Sequence, residues 1–159
     1  MGTIEPSVLS TAVIRDLLRD GIRTGIDDPA SAKRPTESQF VATSYPDRSV
    51  YYPLIVVGEV SDSSYRPDIR AEVWKHTYAA QIMIHAKSMT QLYQLRDAVR
   101  AWIENNIRTL EQAGYMDASV SSSSSATWDA AATVYRWRLV VTGTVWTAPE
   151  SEEEEEESE

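Results

Sequence analysis

Trp74-Lys75-His76-Thr77-Tyr78-Ala79-Ala80-Gln81-Ile82-Met83-Ile84-His85-Ala86-Lys87 is the stretch from which the fold class follows. Trp74, Tyr78, Ala80, Ile82, Ile84 and Ala86 make its even positions nearly all apolar, and Lys75, Thr77, Gln81 and Lys87 are polar at odd positions. Successive strand side chains point to opposite faces, so this alternation predicts a half-buried strand with one face on a core. Ser88 follows, with Gln91 three residues on. That is the spacing of a capping box, in which each side chain satisfies an orphan backbone donor of a new helix. The period then changes: Leu92, Leu95, Val99, Trp102, Ile103, Ile107 and Leu110 form one helical stripe, and Arg96, Asp97, Arg100, Glu104 and Arg108 fall off it. Gly114 is the expected stop. From Thr133, the odd set Tyr135, Trp137, Leu139, Val141 and Val145 alternates with Arg136, Arg138, Thr142 and Thr144, a second long strand facing the same core. The expected class is α+β: one domain over 1–149, with a mixed or antiparallel sheet of about four strands packed against a long helix plus an N-terminal helix.

A chain of 159 residues is long enough for a substantial core, burying roughly two-thirds of its unfolded surface. It has no cysteine, which excludes disulfides and thiolate metal sites. Apolar runs are strand-length, well short of the roughly 20 residues of a membrane helix, and no basic-then-apolar leader opens the sequence. A soluble protein made in a cytoplasm is expected. The net charge of -9 is concentrated in a tail: Glu150, Glu152 to Glu157 and Glu159 supply 8 of the 24 acids, leaving 16 against 15 bases. The run at 150–159 repels itself and has nothing to bury, so disorder is expected there. The Arg excess over Lys and the Glu run point weakly to a salt-adapted host.

Ile4 to Asp20 is predicted as an amphipathic helix, with Pro6 in its first turn, a stripe of Leu9, Val13, Leu17 and Leu18, and Gly21 after its last turn. Between Thr24 and Ser49 the pattern dissolves, with Phe40 and Val41 as the main apolar anchors. A segment of that kind is either an ordered arm packed on a neighbouring subunit or a mobile loop. Tyr51 to Val60 is apolar at both parities, as in a strand covered on both faces, with Pro53 suited to its start or to an edge. Ser61 to Val73 is expected to be a polar connection. Tyr65 and Arg66 in its middle are residue types favoured at interfaces, but a plain turn is the commoner explanation. Tyr115 to Val120 makes a short strand, and Ser121 to Ser125 a hairpin connection or an edge strand.

Chemistry-bearing patterns are sparse. His76 and His85 are nine positions apart on one strand, roughly 30 Å, on opposite faces, so they cannot share a metal or a proton. Each is read as a strand-surface or satisfied core histidine. No phosphate loop, His-Glu-x-x-His or nucleophile elbow occurs. Asp62, Asp68 and Glu72 lack calcium-loop spacing. Trp102 and Trp137 fall on core stripes, and a nearly neutral body is a poor footprint for gripping nucleic acid. No catalytic residue, cofactor or metal is expected.

The order of elements resembles the tail-completion (tail-terminator) proteins of long-tailed bacteriophages and related archaeal viruses. Three stretches carry the likeness: Tyr52-Pro53-Leu54-Ile55-Val56-Val57; Tyr78 to Ala86 running into a helix from Ser88 to Asn105; and Tyr135-Arg136-Trp137-Arg138-Leu139-Val140-Val141. The likeness spans about residues 5 to 147, and the Thr24 to Ser49 segment and the Glu tail depart from the family pattern. The resemblance implies a non-enzymatic virion protein forming a ring, commonly a hexamer, that caps the tail tube and docks it to the neck or connector proteins. DNA would pass through the lumen without specific binding, and no membrane is involved. A head-completion or stopper neck protein is the alternative within the same machine, and a small cellular ligand-binding or enzyme domain the alternative outside it. Candidate subunit or partner contacts are Phe40, Val41, Tyr51, Tyr52, Tyr65, Arg66, Arg70, Arg136 and Arg138.

Overall fold

Residues 10–47, 50–67, 73–123 and 125–147 are described by the computed structural model. Arg70 and the 150–159 tail lie outside them. The strand expected from the alternation is β3 (Trp74–Ala86), and its even residues from Tyr78 to Ala86 are buried. It pairs antiparallel with β2 (Leu54–Tyr65) on one side and along its whole length with β6 (Val134–Thr147) on the other. Two short strands, β1 (Val41–Ala42) and β5 (Thr127–Asp129), and the edge strand β4 (Met116–Ser122) complete a six-stranded open sheet in the order β1-β2-β3-β6-β4, with β5 beside β6. The class is α+β as expected, with more strands than the four anticipated. The two-residue and three-residue strands are too short to show any period.

All helices lie on one face. Ser88 caps α2 (Met89–Asn105), accepting from the Gln91 N–H at 3.1 Å, and Leu92, Leu95, Val99 and Ile103 are buried against the even side chains of β3. The long helix breaks at Asn106, whose side chain donates back to the Trp102 carbonyl at 2.8 Å, and α3 (Ile107–Gln112) resumes before Gly114, at φ 102°. Tyr115 is fully buried, and its hydroxyl shares one proton between the carbonyls of Tyr78 (2.8 Å) and Val141 (2.9 Å). Gly143 lies under that ring: a Cβ there would come within 2.5 Å of it.

Three expectations are corrected. The N-terminal helix, α1, is Thr11–Gly25, capped by Ser10, and buries Ile14, Leu18 and Ile22, while Val13 is half exposed. Gly21 does not end it, because α1 crosses the Trp102 ring and only glycines fit: a Cβ at Gly21 or Gly25 would be 2.3 Å from the indole. Second, the described part of the expected arm, 24–47, packs on its own chain. Val41 pairs in parallel with Ile55, and Arg34 donates to the carbonyls of Tyr51 (2.8 Å) and Pro53 (2.6 Å) while bound to Asp28. Third, β2 does not stop at Val60. Its polar continuation Ser61 to Tyr65 pairs with β3 from Ala79 to Lys75, a hairpin limb that composition alone presents as a loop. The last strand, β6, is held between β3 and β4.

Candidate functional site

The face of the sheet opposite the helices carries the densest set of polar groups. Register places Leu54 and Val56 of β2, Met83 and His85 of β3, and Arg136 and Arg138 of β6 on it, because Leu54 pairs with His85 and His85 with Arg136. A β-bulge between Val57 and Val60 turns Glu59 toward the same region, beside Gly58, a common use of bulges. From the segment before β2, Tyr45 lays its ring on His85, centroids 5.1 Å apart, and its hydroxyl meets that of Tyr52. The tight hairpin from β5 into β6 brings Asp129, whose Oδ1 accepts from the Ala131 (3.1 Å) and Ala132 (3.2 Å) N–H groups and whose Oδ2 lies 4.0 Å from Arg136 Nη1. Tyr45, Glu59, Gln81, Met83, His85, Asp129 and Arg136 surround a cavity of about 290 Å³.

Two polar atoms in this lining are buried and unpaired: His85 Nδ1 and Arg136 Nε. His85 is only 6% exposed. Burial, aided by the Arg136 guanidinium and opposed by Asp129, lowers its pKa to about 4, so the imidazole is neutral at physiological pH. Burial and the Tyr45 contact push the Tyr52 phenol above its usual range. The cavity therefore holds a neutral imidazole, one guanidinium and two carboxylates around an apolar floor.

The candidate contact residues scatter. Phe40 and Val41 are buried in the subunit's own core, where Val41 pairs with β2, and do not reach a neighbour. Leu54 to Val57 is likewise buried within its own chain, covered by α1 on one face and the Tyr45 region on the other. Tyr51 and Tyr52 are half-buried, the first stacked on Arg34. Tyr65 and Arg66 are exposed at the far end of the β2–β3 hairpin. Arg136 lines the cavity, and Arg138 is exposed on the same face. His85 is neither a surface nor a satisfied histidine. The sequence signal for it is small: Met83 and His85 end the polar side of β3 on less polar residues, as they must where that side too is covered.

His76 sits with other groups at the opposite end of the sheet. Ser64 Oγ lies 2.9 Å and Asp62 3.4 Å from its Nδ1, and Thr147 Oγ1 lies 2.9 Å from its Nε2. Carboxylate, imidazole and hydroxyl are in the order that nucleophilic catalysis uses. They belong to three adjacent strands at an exposed end, away from the cavities described here, and act as a polar clasp across β2, β3 and β6. Among the described residues no group of three or more His, Cys, Asp or Glu is placed to hold a metal ion, and no helix is long and apolar enough to cross a membrane. No protein-family model and no curated protein sequence matches the chain.

Proposed function

We propose that the protein is a ring-forming subunit that completes the tail of a tailed virus, closing the tail tube and joining it to the neck. The observation that carries this reading is the pair of unpaired edges of the open sheet. On one side β1 covers only Ile55 and Val56, leaving the outer edge of β2 from Val57 to Tyr65, the edge away from β3, unpaired among the described residues; on the other, no described strand lies beyond β4. Free strand edges present rows of backbone donors and acceptors and are templates for another chain. Two different edges on opposite sides make a head-to-tail contact, and head-to-tail contacts close into rings when the rotation allows. The bulge at Glu59 and the charge of Asp62 disfavour indiscriminate pairing of the β2 edge, which leaves room for one matched partner.

The strand–helix–strand order and the exposed end of the sheet agree with this reading. Tyr65, Trp74 and Trp146 are 60%, 43% and 50% exposed there, residue types enriched in interface hot spots, and they offer a surface to the tube or to the neck. The apolar β2 segment is covered within the subunit, so what a lone copy leaves unsatisfied is its two sheet edges. Sedimentation velocity followed by negative-stain imaging tests it. Annular particles are expected, as is their loss in a Ser61→Lys/Ser63→Lys variant of unchanged circular dichroism. A rounded monomer at 100-micromolar order concentration overturns it. Binding to DNA-filled heads in place of tail tubes would reassign the ring to the head side of the joint.

A further inference from the structure

We propose that the cavity bounded by Tyr45, Glu59, His85, Asp129 and Arg136 is a binding site for a small, planar, uncharged amide, a group that sets a carbonyl oxygen beside an N–H donor. The inference goes beyond the ring reading and does not depend on it.

The strongest observation is the pair of orphaned atoms in one lining, His85 Nδ1 and Arg136 Nε. A buried polar atom without a partner costs about 1–3 kcal/mol, and native structures keep few of them. Both atoms are closed off from water, so a ligand reaches them only with a small shift of the two side chains; two such atoms on residues of one wall mark a place where partners are supplied from outside. The cavity, about 290 Å³, is at the small end of ligand pockets. Val56 and Met83 give it an apolar floor and the Tyr45 ring a flat wall, so the body of the ligand is flat and apolar.

Charge selects the rest. An anion would meet the Arg136 guanidinium but also the carboxylates of Asp129 and Glu59, and in a partly buried site like charges a few ångströms apart repel strongly. A cation would be drawn by the two carboxylates but would leave the Arg136 Nε–H donor without an acceptor. Arg136 is already partly neutralised by Asp129 at 4.0 Å, so what it still offers is the directional Nε–H donor. His85, held neutral by burial, offers Nδ1 as an acceptor when its proton is on Nε2. One donor and one acceptor on adjacent strands match the carbonyl and N–H of an amide edge. A free small molecule and the Asn or Gln side chain of another protein share that chemistry.

Three probes of one shape and different charge test the site: benzamide, benzoate and benzylamine, titrated into the full chain while the imidazole carbon–proton signals are followed by NMR. The chain has two histidines, so a His76→Gln variant identifies the His85 signals. Saturable shifts of His85 are expected with benzamide at millimolar concentration, at least tenfold weaker with the charged probes, and lost in Arg136→Lys, which keeps the charge and removes the Nε donor. Unmoved His85 signals at tens of millimolar benzamide, equal binding of benzoate, or unchanged binding by a folded Arg136→Lys variant each overturn the proposal. N-acetylglutamine methylamide distinguishes the sources: binding tighter than benzamide assigns the site to a protein side chain, and weaker binding to a free planar amide. Rings that form without amide binding would sink this inference alone, and binding by a monomer would sink only the ring.

Discussion

Arg34 shows how much one side chain can decide. Its side chain is 6% exposed, and it holds Asp28, the Tyr51 and Pro53 carbonyls, and the faces of Phe40 and Tyr51 at about 5 Å, so one guanidinium ties the irregular segment to the start of β2. Burial pulls the Asp28 carboxyl up, yet the Arg34 and Ala30 hydrogen bonds outweigh it and hold the pKa below its usual value. Removing one partner of a buried pair costs about 3–5 kcal/mol, because the other charge is stranded. Arg34→Ala should lose that much in urea unfolding, and Arg34→Lys should recover little, since a point charge cannot replace the planar fork. His85 sets a pH dependence. Its folded pKa of about 4 lies below the unfolded 6.5, so between those values the unfolded chain binds a proton that the folded chain refuses. Stability is therefore full above pH 6.5, falls as pH drops, and levels off below about 4. Burial lowers the pKa most, the Arg136 guanidinium adds to it and the Asp129 carboxylate opposes it, with Glu59 and Tyr45 in the same lining. The stability difference between the wild type and His85→Gln should shift by about 2–3 kcal/mol between pH 7.5 and 4.5, the free energy of a shift of that size. A gap that stays constant across that range would mean the imidazole is solvated. The Asp28 contribution has the opposite origin, being present above pH 3.8 and lost as pH falls through its lower folded value, mostly beneath this window.

The contact between α1 and α2 is made by one large ring and two absent side chains. Trp102 fills the space over Gly21 and Gly25, and a Cβ at either would lie 2.3 Å from the indole. Alanine is favoured over glycine in a helix by about 1 kcal/mol, whereas overpacking costs about 1–3 kcal/mol. An alanine at Gly21 would push the ring out of the seat it shares with Gly25 and loosen the α1–α2 contact, so the second effect wins and Gly21→Ala should destabilise. In a Trp102→Ala background the same substitution should change sign and stabilise by up to about 1 kcal/mol, measured as a double-mutant cycle. Gly143 beneath Tyr115 repeats the arrangement inside the sheet. Here the phenol is fixed by the Tyr78 and Val141 carbonyls, so Gly143→Ala should cost about 1–3 kcal/mol in thermal unfolding and disturb the β3–β6 register.

For the whole molecule, the sheet is covered by helices on one face, partly roofed by the Tyr45 region on the other, and unpaired along most of β2 and beyond β4. If copies complete each other through those edges, folding and assembly are linked by mass action. The thermal midpoint should then rise with protein concentration, since a hundredfold excess over a dissociation constant contributes about 2.7 kcal/mol. Dilution that leaves the midpoint unmoved, with Ser61→Lys/Ser63→Lys behaving as the wild type, would count against edge-to-edge assembly.

Local pattern was enough for β3, its Ser88 cap, the buried stripe of α2 and the inward face of β6, because alternation and helical period are properties of neighbours in the chain and survive without knowledge of what they pack against. Tertiary contact decided the remainder. Gly21 looks like a stop until Trp102 arrives from 81 positions away; Ser61 to Tyr65 look like a loop until β3 supplies hydrogen-bond partners; and the apolar β2 segment calls for cover on both faces without naming its source until α1, Val41 and Tyr45 reach it. The cavity was the least legible feature, since Tyr45, Glu59, His85, Asp129 and Arg136 come from five separate stretches. Only strand register, a bulge and one hairpin turn bring them together, and none of these leaves a period in the sequence.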